Sequence, residues 1–92
     1  MPNISNDTVI IAYDVTDDDV RTELREYLKY DLGAKRRTES VYEFIFDSSQ
    51  MPKYKAILMK LSSVLSQDIT AKAYAWDFDN GQLRRIAIHD LA

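Results

Sequence analysis

The sequence predicts an α+β fold in which two helices cover one face of a single β-sheet. Two stretches with apolar residues at helical spacing alternate with β-prone stretches along a chain of only 92 residues. The turn signal Asp79-Asn80-Gly81 then joins two β-prone segments near the C-terminus. The order strand, helix, strand pair, helix, strand is typical of a ferredoxin-like βαββαβ sheet, here with an extra C-terminal strand.

Composition limits the classes of protein to which the chain can belong. One domain spanning residues 1–92 is expected, and an apolar content of 46% is enough for a folded core. Because the chain has no cysteine, disulfides, thiolate zinc sites and a cysteine nucleophile are excluded. The sequence shows neither a signal peptide nor an apolar run of about 18 residues, so we expect no membrane association and a soluble, cytoplasmic protein.

The first strand and the first helix are separated by a run of acidic residues. Thr8 to Val15 includes five consecutive apolar residues and predicts a buried strand with Asp14 near its end. Thr16 or Asp17 can accept hydrogen bonds from the first helical turn, where acidic side chains also suit the helix dipole. Gly33 is placed to end the helix in the left-handed region.

The middle of the chain predicts an extended segment followed by the second helix. Residues 34–47 contain strand-prone side chains interrupted by Thr38-Glu39-Ser40, so two short strands or one bent strand are expected. Ser48-Ser49 offers an N-cap, and Pro52 is tolerated in the first helical turn. Apolar residues at helical spacing from Tyr54 to Leu65 form the buried face of this helix.

The last two strands predict an assembly surface. Large aromatic residues alternate with alanines from Ile69 to Phe78, so the two kinds of side chain occupy opposite faces. The aromatic residues are Tyr74, Trp76 and Phe78. Because both helices are expected on the other face, this aromatic face predicts a homodimer through the open side of the sheet. A final strand follows from Gln82 to Ile88, and residues 82–92 are interpreted as a C-terminal assembly strand, too apolar to remain a free edge.

Few catalytic signatures are present, and Asp14 is the strongest candidate. The two glycines cannot form a phosphate-cradling loop, and the single histidine, His89, would have no partner as a ligand or general base. By strand parity Asp14 leaves the face of Ile10 and Ala12. If that face forms the dimer, two Asp14 carboxylates meet and offer oxygen ligands to Mg²⁺ or Mn²⁺. The alternative interpretation is an aspartate that merely ends a strand.

Nucleic-acid binding by this chain requires local basic patches. A net charge of −3 and a pI of about 5.0 are unlike those of a dedicated nucleic-acid binder. The candidate patches are Lys35-Arg36-Arg37 and Arg84-Arg85, for which solvated surface charge is the alternative interpretation. Trp76 can also stack on bases, but its strand periodicity favours a core or interface position.

Two stretches of the chain resemble a known family. They are AYDVTDDDVR at residues 12–21 and RRTESVYEFIF at residues 36–46. The family is the small CRISPR-associated adaptation subunit, numbered two in that naming scheme. Members are similar in length, and their first strand ends in Tyr-Asp, here Tyr13-Asp14. An arginine follows in the first helix, here Arg21, and the second extended segment carries Ser-Val-Phe/Tyr-Glu, here at residues 40–43. The resemblance covers essentially the whole chain.

The resemblance implies a ferredoxin-like homodimer that binds DNA and bridges a partner integrase in CRISPR adaptation. Some members are Mg²⁺-dependent endonucleases acting on RNA or double-stranded DNA, whereas others are mainly structural. Carried over by motif, Asp14 is the metal ligand and catalytic residue at the dimer axis, and Tyr42 lies beside the site as a second catalytic residue. Arg21 and one of Arg36 or Arg37 contact phosphate, within a nucleic-acid-binding patch that also includes Lys35.

Two departures and one alternative accompany this resemblance. The chain is acidic overall, which weakens the nuclease interpretation more than the adaptor interpretation. Some members carry a second arginine two positions after the helix arginine, where this chain has Glu23, which weakens the nuclease interpretation more than the adaptor interpretation. The alternative is a toxin-like endoribonuclease of the virulence-associated protein D type, which resembles the same fold. The extended final strand favours the adaptation subunit, because such a strand is expected to dock a partner.

Overall fold

Five strands and two α-helices make up the computed structural model, which describes residues 8–45, 51–79 and 81–91. In chain order they are β1 (Thr8–Asp14), α1 (Asp18–Glu26), β2 (Lys35–Thr38), β3 (Val41–Ile45), α2 (Met51–Leu65), β4 (Lys72–Asp79) and β5 (Gln82–Ala87). A π-helical turn (Tyr27–Asp31) continues α1, and a 3-10 turn (Ile88–Asp90) follows β5.

The strands form one antiparallel sheet in the order β2-β3-β1-β4-β5. The central strand β1 lies between β3 and β4, an arrangement compatible with a ferredoxin-like sheet, and β5 extends the sheet beside β4. In the extended segment predicted at residues 34–47, the described residues 35–45 therefore form two strands rather than one bent strand, with a turn at Glu39-Ser40 between them. The α+β class and the extra C-terminal strand predicted from the sequence are confirmed.

Both helices pack on one face of the sheet and share a single core with it. Alternate residues of β1 point toward the helices and are buried, whereas Ile10 and Ala12 on the other face are half-buried. On β4 the buried residues are the alanines, and Ala75 is fully buried. Their small side chains belong to the same buried core as the apolar residues of α2. The aromatic residues of β4 lie on the opposite, open face, as their alternation predicted.

Helix α1 begins and ends at the predicted signals. The Asp17 side chain accepts a hydrogen bond from the Val20 backbone N–H at 2.9 Å, which caps the N-terminus. Gly33 ends the helical segment with φ of +64°, a conformation that favours glycine. The π-helical turn was not predicted; in it, the Leu32 N–H donates to the Tyr27 carbonyl at 3.1 Å.

Two strand boundaries differ from the prediction. Strand β4 begins at Lys72 rather than Ile69, because the Asp68 carboxylate accepts hydrogen bonds from the Thr70 N–H at 3.0 Å and the Thr70 hydroxyl at 2.8 Å, forming a turn. At the other end, β5 stops at Ala87, because Ile88 turns inward and is fully buried against α2 and β4. The predicted N-cap at Ser48-Ser49 lies outside the described residues.

Candidate functional site

A cleft of about 420 Å³ opens beside the C-terminal end of β1, and we call it the Asp14 cleft. It lies where the end of β1, the first two turns of α1, the edge strand β2 and the turn before β3 meet. The lining residues are Tyr13, Asp14, Val15, Arg21, Arg25, Arg36, Glu39 and Ser40. Three arginines and two acidic residues therefore line the cleft, which concentrates basic side chains at one place on an acidic chain.

Arg21 is fixed at the entrance of α1. Its Nη1 atom donates to the Val15 carbonyl at 3.4 Å, and its Nη2 atom forms an ion pair with Asp18 one helical turn earlier. These contacts hold the guanidinium beside the end of β1 and next to Asp14. The Asp18 carboxylate offsets part of its charge, so Arg21 alone is a weak anion site.

Arg25 and Arg36 are the more available cations of the cleft. Arg25 makes no ion pair with any residue that the structure describes, and its side chain lies one helical turn after Arg21. Arg36 uses only its Nε atom, which donates to the Thr38 carbonyl at 3.2 Å. Both guanidiniums can therefore turn toward an anion without breaking an ion pair, and the guanidinium geometry suits bidentate binding of phosphate or carboxylate.

The basic triplet of β2 is divided between the two faces of the sheet. Arg36 lies opposite Tyr42 and lines the Asp14 cleft, whereas Lys35 lies opposite Glu43 on the open face. Arg37 is also drawn to that face, where its Nε atom lies 2.7 Å from a Glu43 carboxylate oxygen. The structure thus brings Arg36 together with Asp14 and Arg21, and places Lys35 and Arg37 in a separate shallow cleft.

The comparison with protein families gives a match to the family described as CRISPR associated protein Cas2, over residues 7–85. This range holds β1, both helices and the first four residues of β5, together with every residue of the Asp14 cleft. The chain belongs to the Cas2 family. A search of curated proteins finds no significant match. The family is the first of the two alternatives that the sequence left open, and its members act in CRISPR adaptation together with other adaptation proteins.

In this Cas2-family chain, Asp14 stands at a corner between the cleft and the open face of the sheet. It is exposed and lies on the face of Ile10 and Ala12, as parity predicted. Its cross-strand neighbour on that face is Lys72 of β4. A cation is therefore already close to Asp14 in a single chain, which reduces the repulsion that a second nearby carboxylate would cause.

A single Cas2-family chain does not offer a complete metal site. The described part of the chain contains no cluster of three or more metal-ligating side chains. Asp14 and Glu39 are the carboxylates of the cleft, and the three guanidiniums there disfavour a second cation. Hard divalent ions prefer several oxygen ligands, so a metal site at Asp14 requires a second copy of the chain to supply a second carboxylate.

Tyr42 lies beneath the cleft rather than within it. Its side chain is fully buried on the helix side of the sheet, and its ring stacks on Tyr13 with the ring centroids 6.2 Å apart. Burial, with a smaller contribution from the neighbouring Tyr42, raises the pKa of Tyr13 to about 12. The Tyr13 hydroxyl donates to the Glu39 carbonyl at 3.0 Å, so this phenol is protonated at neutral pH and acts as a donor.

Two basic residues were missed in the sequence, Arg25 in α1 and Lys29 in the π-helical turn that follows it. Arg25 lines the Asp14 cleft, and Lys29 continues the same side of the helical segment. The signal was the spacing of four residues from Arg21 to Arg25 to Lys29, which places three cations on one helical face.

No helix in the described residues is long and apolar enough to cross a membrane.

Proposed function

We propose that this Cas2-family chain acts in CRISPR adaptation as a homodimer that binds DNA through its Asp14 clefts and bridges an integrase subunit. The observation that carries the proposal is the convergence of Arg21, Arg25 and Arg36 on one cleft of an otherwise acidic chain. Phosphate contacts from clustered arginines supply most of the affinity of sequence-independent nucleic-acid binding. A dimer carries two such clefts and can hold one duplex at two points.

The division of the basic triplet provides a matched test of DNA binding. Arg36→Ala removes a cation from the Asp14 cleft, whereas Arg37→Ala removes a neighbouring cation that is already paired with Glu43. Both variants change the net charge of the chain equally. Fluorescence anisotropy with a blunt DNA duplex should show a larger loss of affinity for Arg36→Ala. Equal losses would mean that general charge, and not the cleft, determines binding.

Dimerisation is proposed through the open face of the sheet. Leu83 of β5 is 65% exposed and Ile45 of β3 is 76% exposed, and both share this face with the half-buried aromatic residues of β4. An apolar surface of this extent on a small protein is typical of an interface. The same face carries Asp14, so a dimer built here brings two Asp14 side chains toward each other.

A charge introduced into that face tests the interface. Leu83→Asp should convert the dimer to a monomer, because a carboxylate buried at an interface has no cationic partner and is costly. Ile69→Asp is the matched control, since Ile69 is 98% exposed in the turn before β4 and away from the open face. Sedimentation velocity measures both variants. A wild-type monomer at micromolar concentration, or a Leu83→Asp dimer, would contradict the proposed interface.

The outer edge of β5 is proposed to dock the integrase. One edge of β5 pairs with β4, and its other edge has no partner strand within the described residues. An unpaired strand edge is a template for addition of a strand from another chain. Co-purification with the integrase subunit of the same CRISPR locus tests this proposal, and retention of that complex by a variant with proline at Arg85 would argue against strand addition.

A divalent ion, Mg²⁺ or Mn²⁺, is proposed between the two Asp14 carboxylates of the dimer. Such an ion polarises a phosphate and activates a bound water, which is the chemistry that an endonuclease activity on DNA or RNA requires. Arg25 and Arg36 of each chain would then position the phosphate beside Asp14. Divalent ions should raise the melting temperature of the wild-type dimer and leave Asp14→Asn unchanged. An equal response of both proteins would place any bound ion elsewhere.

A further inference from the structure

A second cleft adjoins the Asp14 cleft along α1, and we call it the Tyr30 cleft. Its volume is about 440 Å³, within the range of small-molecule sites. The lining residues are Arg25, Glu26, Lys29, Tyr30, Ala34, Arg36 and Tyr42. Arg25 and Arg36 line both clefts, so the two form one groove that is continuous past these two guanidiniums.

Tyr30 is a large aromatic side chain without a structural role in the described fold. It is 72% exposed, and it makes no hydrogen bond with any residue in the described ranges. The Lys29 ammonium lies 5.2 Å from the centroid of its ring. The π-helical turn that carries both residues widens the helix at the mouth of the cleft, and such turns are frequent at functional sites.

The residues that line the Tyr30 cleft can contact both the phosphate and the base of a nucleotide. Arg25 and Arg36 offer unpaired guanidiniums to a phosphate, and Lys29 offers a third cation at the rim. The exposed Tyr30 ring offers a face for a base, and stacking of this kind tolerates any base. The buried side chain of Tyr42 lies beneath these groups and closes the bottom of the cleft.

We propose that the Tyr30 cleft binds an unpaired nucleotide of a nucleic acid whose backbone runs through the Asp14 cleft. The proposal rests on the proposed function, because Arg25 and Arg36 hold the shared phosphate. A base in a duplex is stacked and paired, so it cannot present its face to Tyr30. The site therefore distinguishes a nucleic acid with a single-stranded end from a blunt duplex, with Tyr30 as the stacking residue.

The test compares two DNA probes that differ only in their ends. One is a blunt duplex, and the other carries a few unpaired thymidines on each strand. Wild-type protein should bind the second probe more tightly, and Tyr30→Ala should lose about fivefold or more of that affinity with no change on the blunt duplex. Tyr30→Phe keeps the ring and should behave as wild type. Ile69→Ala removes another exposed apolar side chain, one that does not line the groove, and serves as the control.

A second readout locates the contact. Iododeoxyuridine in the unpaired segment should form a photo-crosslink to the peptide that contains Tyr30. A third probe carries unpaired uridines in place of the thymidines. A loss of affinity for this probe in Tyr30→Ala also supports the site. The probe that shows the larger loss of affinity identifies whether ribose or deoxyribose is preferred.

The outcomes separate this inference from the proposed function. If the blunt duplex binds but Tyr30→Ala binds both probes as wild type does, the stacking site is overturned and the proposed function stands. If Tyr30→Ala weakens both probes equally, Tyr30 does not recognise unpaired bases and the inference is also overturned. If neither probe binds to the wild-type dimer, both the inference and the proposed DNA binding are wrong.

Discussion

A buried hydrogen-bonded network fixes β5, the proposed docking strand, to its own chain. Asp77 of β4 is only 4% exposed. It accepts a hydrogen bond from the Tyr54 hydroxyl of α2 at 2.6 Å and two from Arg84 of β5, at 3.0 and 2.9 Å. Tyr54→Phe removes one donor to a buried carboxylate and keeps the ring, so it tests the network without opening a cavity.

The hydrogen bonds to Asp77 determine how much stability Tyr54→Phe should lose. A hydrogen bond to a charged group contributes about 1.5–3 kcal/mol. Arg84 continues to donate two hydrogen bonds to Asp77, so we expect the lower end, about 1.5–2 kcal/mol less stability at pH 7. In a domain of this size that loss lowers the melting temperature by about 6–16 °C. Tyr30→Phe is the control, because its hydroxyl is exposed and makes no hydrogen bond with a described residue.

The difference between wild type and Tyr54→Phe should shrink at high pH. Burial first, and then the hydrogen bond to Asp77, raise the pKa of Tyr54 far above its usual value near 10. A tyrosine whose pKa is higher in the folded state than in the unfolded state stabilises the fold. This stabilisation is complete at a pH below the pKa of the unfolded state. It is lost as the pH rises toward the pKa of the folded state. Above pH 10 wild type therefore loses about 1.4 kcal/mol per pH unit through this group, and Tyr54→Phe does not.

Urea unfolding at pH 7 and near pH 11, followed by circular dichroism, measures both effects. The linear extrapolation compares the free energies of unfolding of the two proteins at each pH. A Tyr54→Phe variant as stable as wild type at pH 7 would show that the hydroxyl contributes nothing to the buried network. A stability difference that stays constant up to pH 11 would refute the raised pKa of Tyr54.

Three further changes should each alter stability in a defined direction. Tyr13→Phe should be less sensitive to alkali than wild type, which loses about 2–3 kcal/mol between pH 10 and 12 through a pKa of about 12; an equal fall of the urea midpoint from pH 7 to pH 11 in both proteins would contradict this. Asp17→Ala should cost about 1 kcal/mol through loss of the N-cap, measured by urea unfolding against the control Asp19→Ala. Gly33→Ala should lower the free energy of unfolding by about 1 kcal/mol, because alanine is strained in the left-handed backbone conformation. The added Cβ meets nothing within 4 Å, so no steric clash adds to this cost. An unchanged melting temperature would contradict this prediction.

Local patterns were enough to predict the elements and their faces. The alternation in β4 placed Ala75 inward and Trp76 on the open face, because strand parity depends only on sequence. Asp17 and Gly33 likewise act within one helical turn of their positions. These signals need no knowledge of the rest of the chain.

The parts that were missed depend on tertiary contacts. Ile88 continues a strand-like pattern, but burial against α2 turns it out of β5. Near the cleft, Arg37 and Thr38 together lie opposite Val41, where the register shifts. The sequence alone therefore could not tell which arginine of the triplet lies beside Asp14. Arg25 had a local signal in its spacing from Arg21, but its position beside Arg36 depends on how α1 packs near β2.

The salt dependence of duplex binding tests most directly whether the Asp14 clefts hold phosphate. The logarithm of the association constant of the wild-type protein for the duplex should fall linearly with the logarithm of salt concentration. A variant with alanine at both Arg25 and Arg36 loses four cations in the proposed dimer, so its slope should be shallower by roughly 3–4. A slope equal to that of wild type, with the dimer intact, would contradict the account, because the arginines of the cleft would then make no phosphate contact.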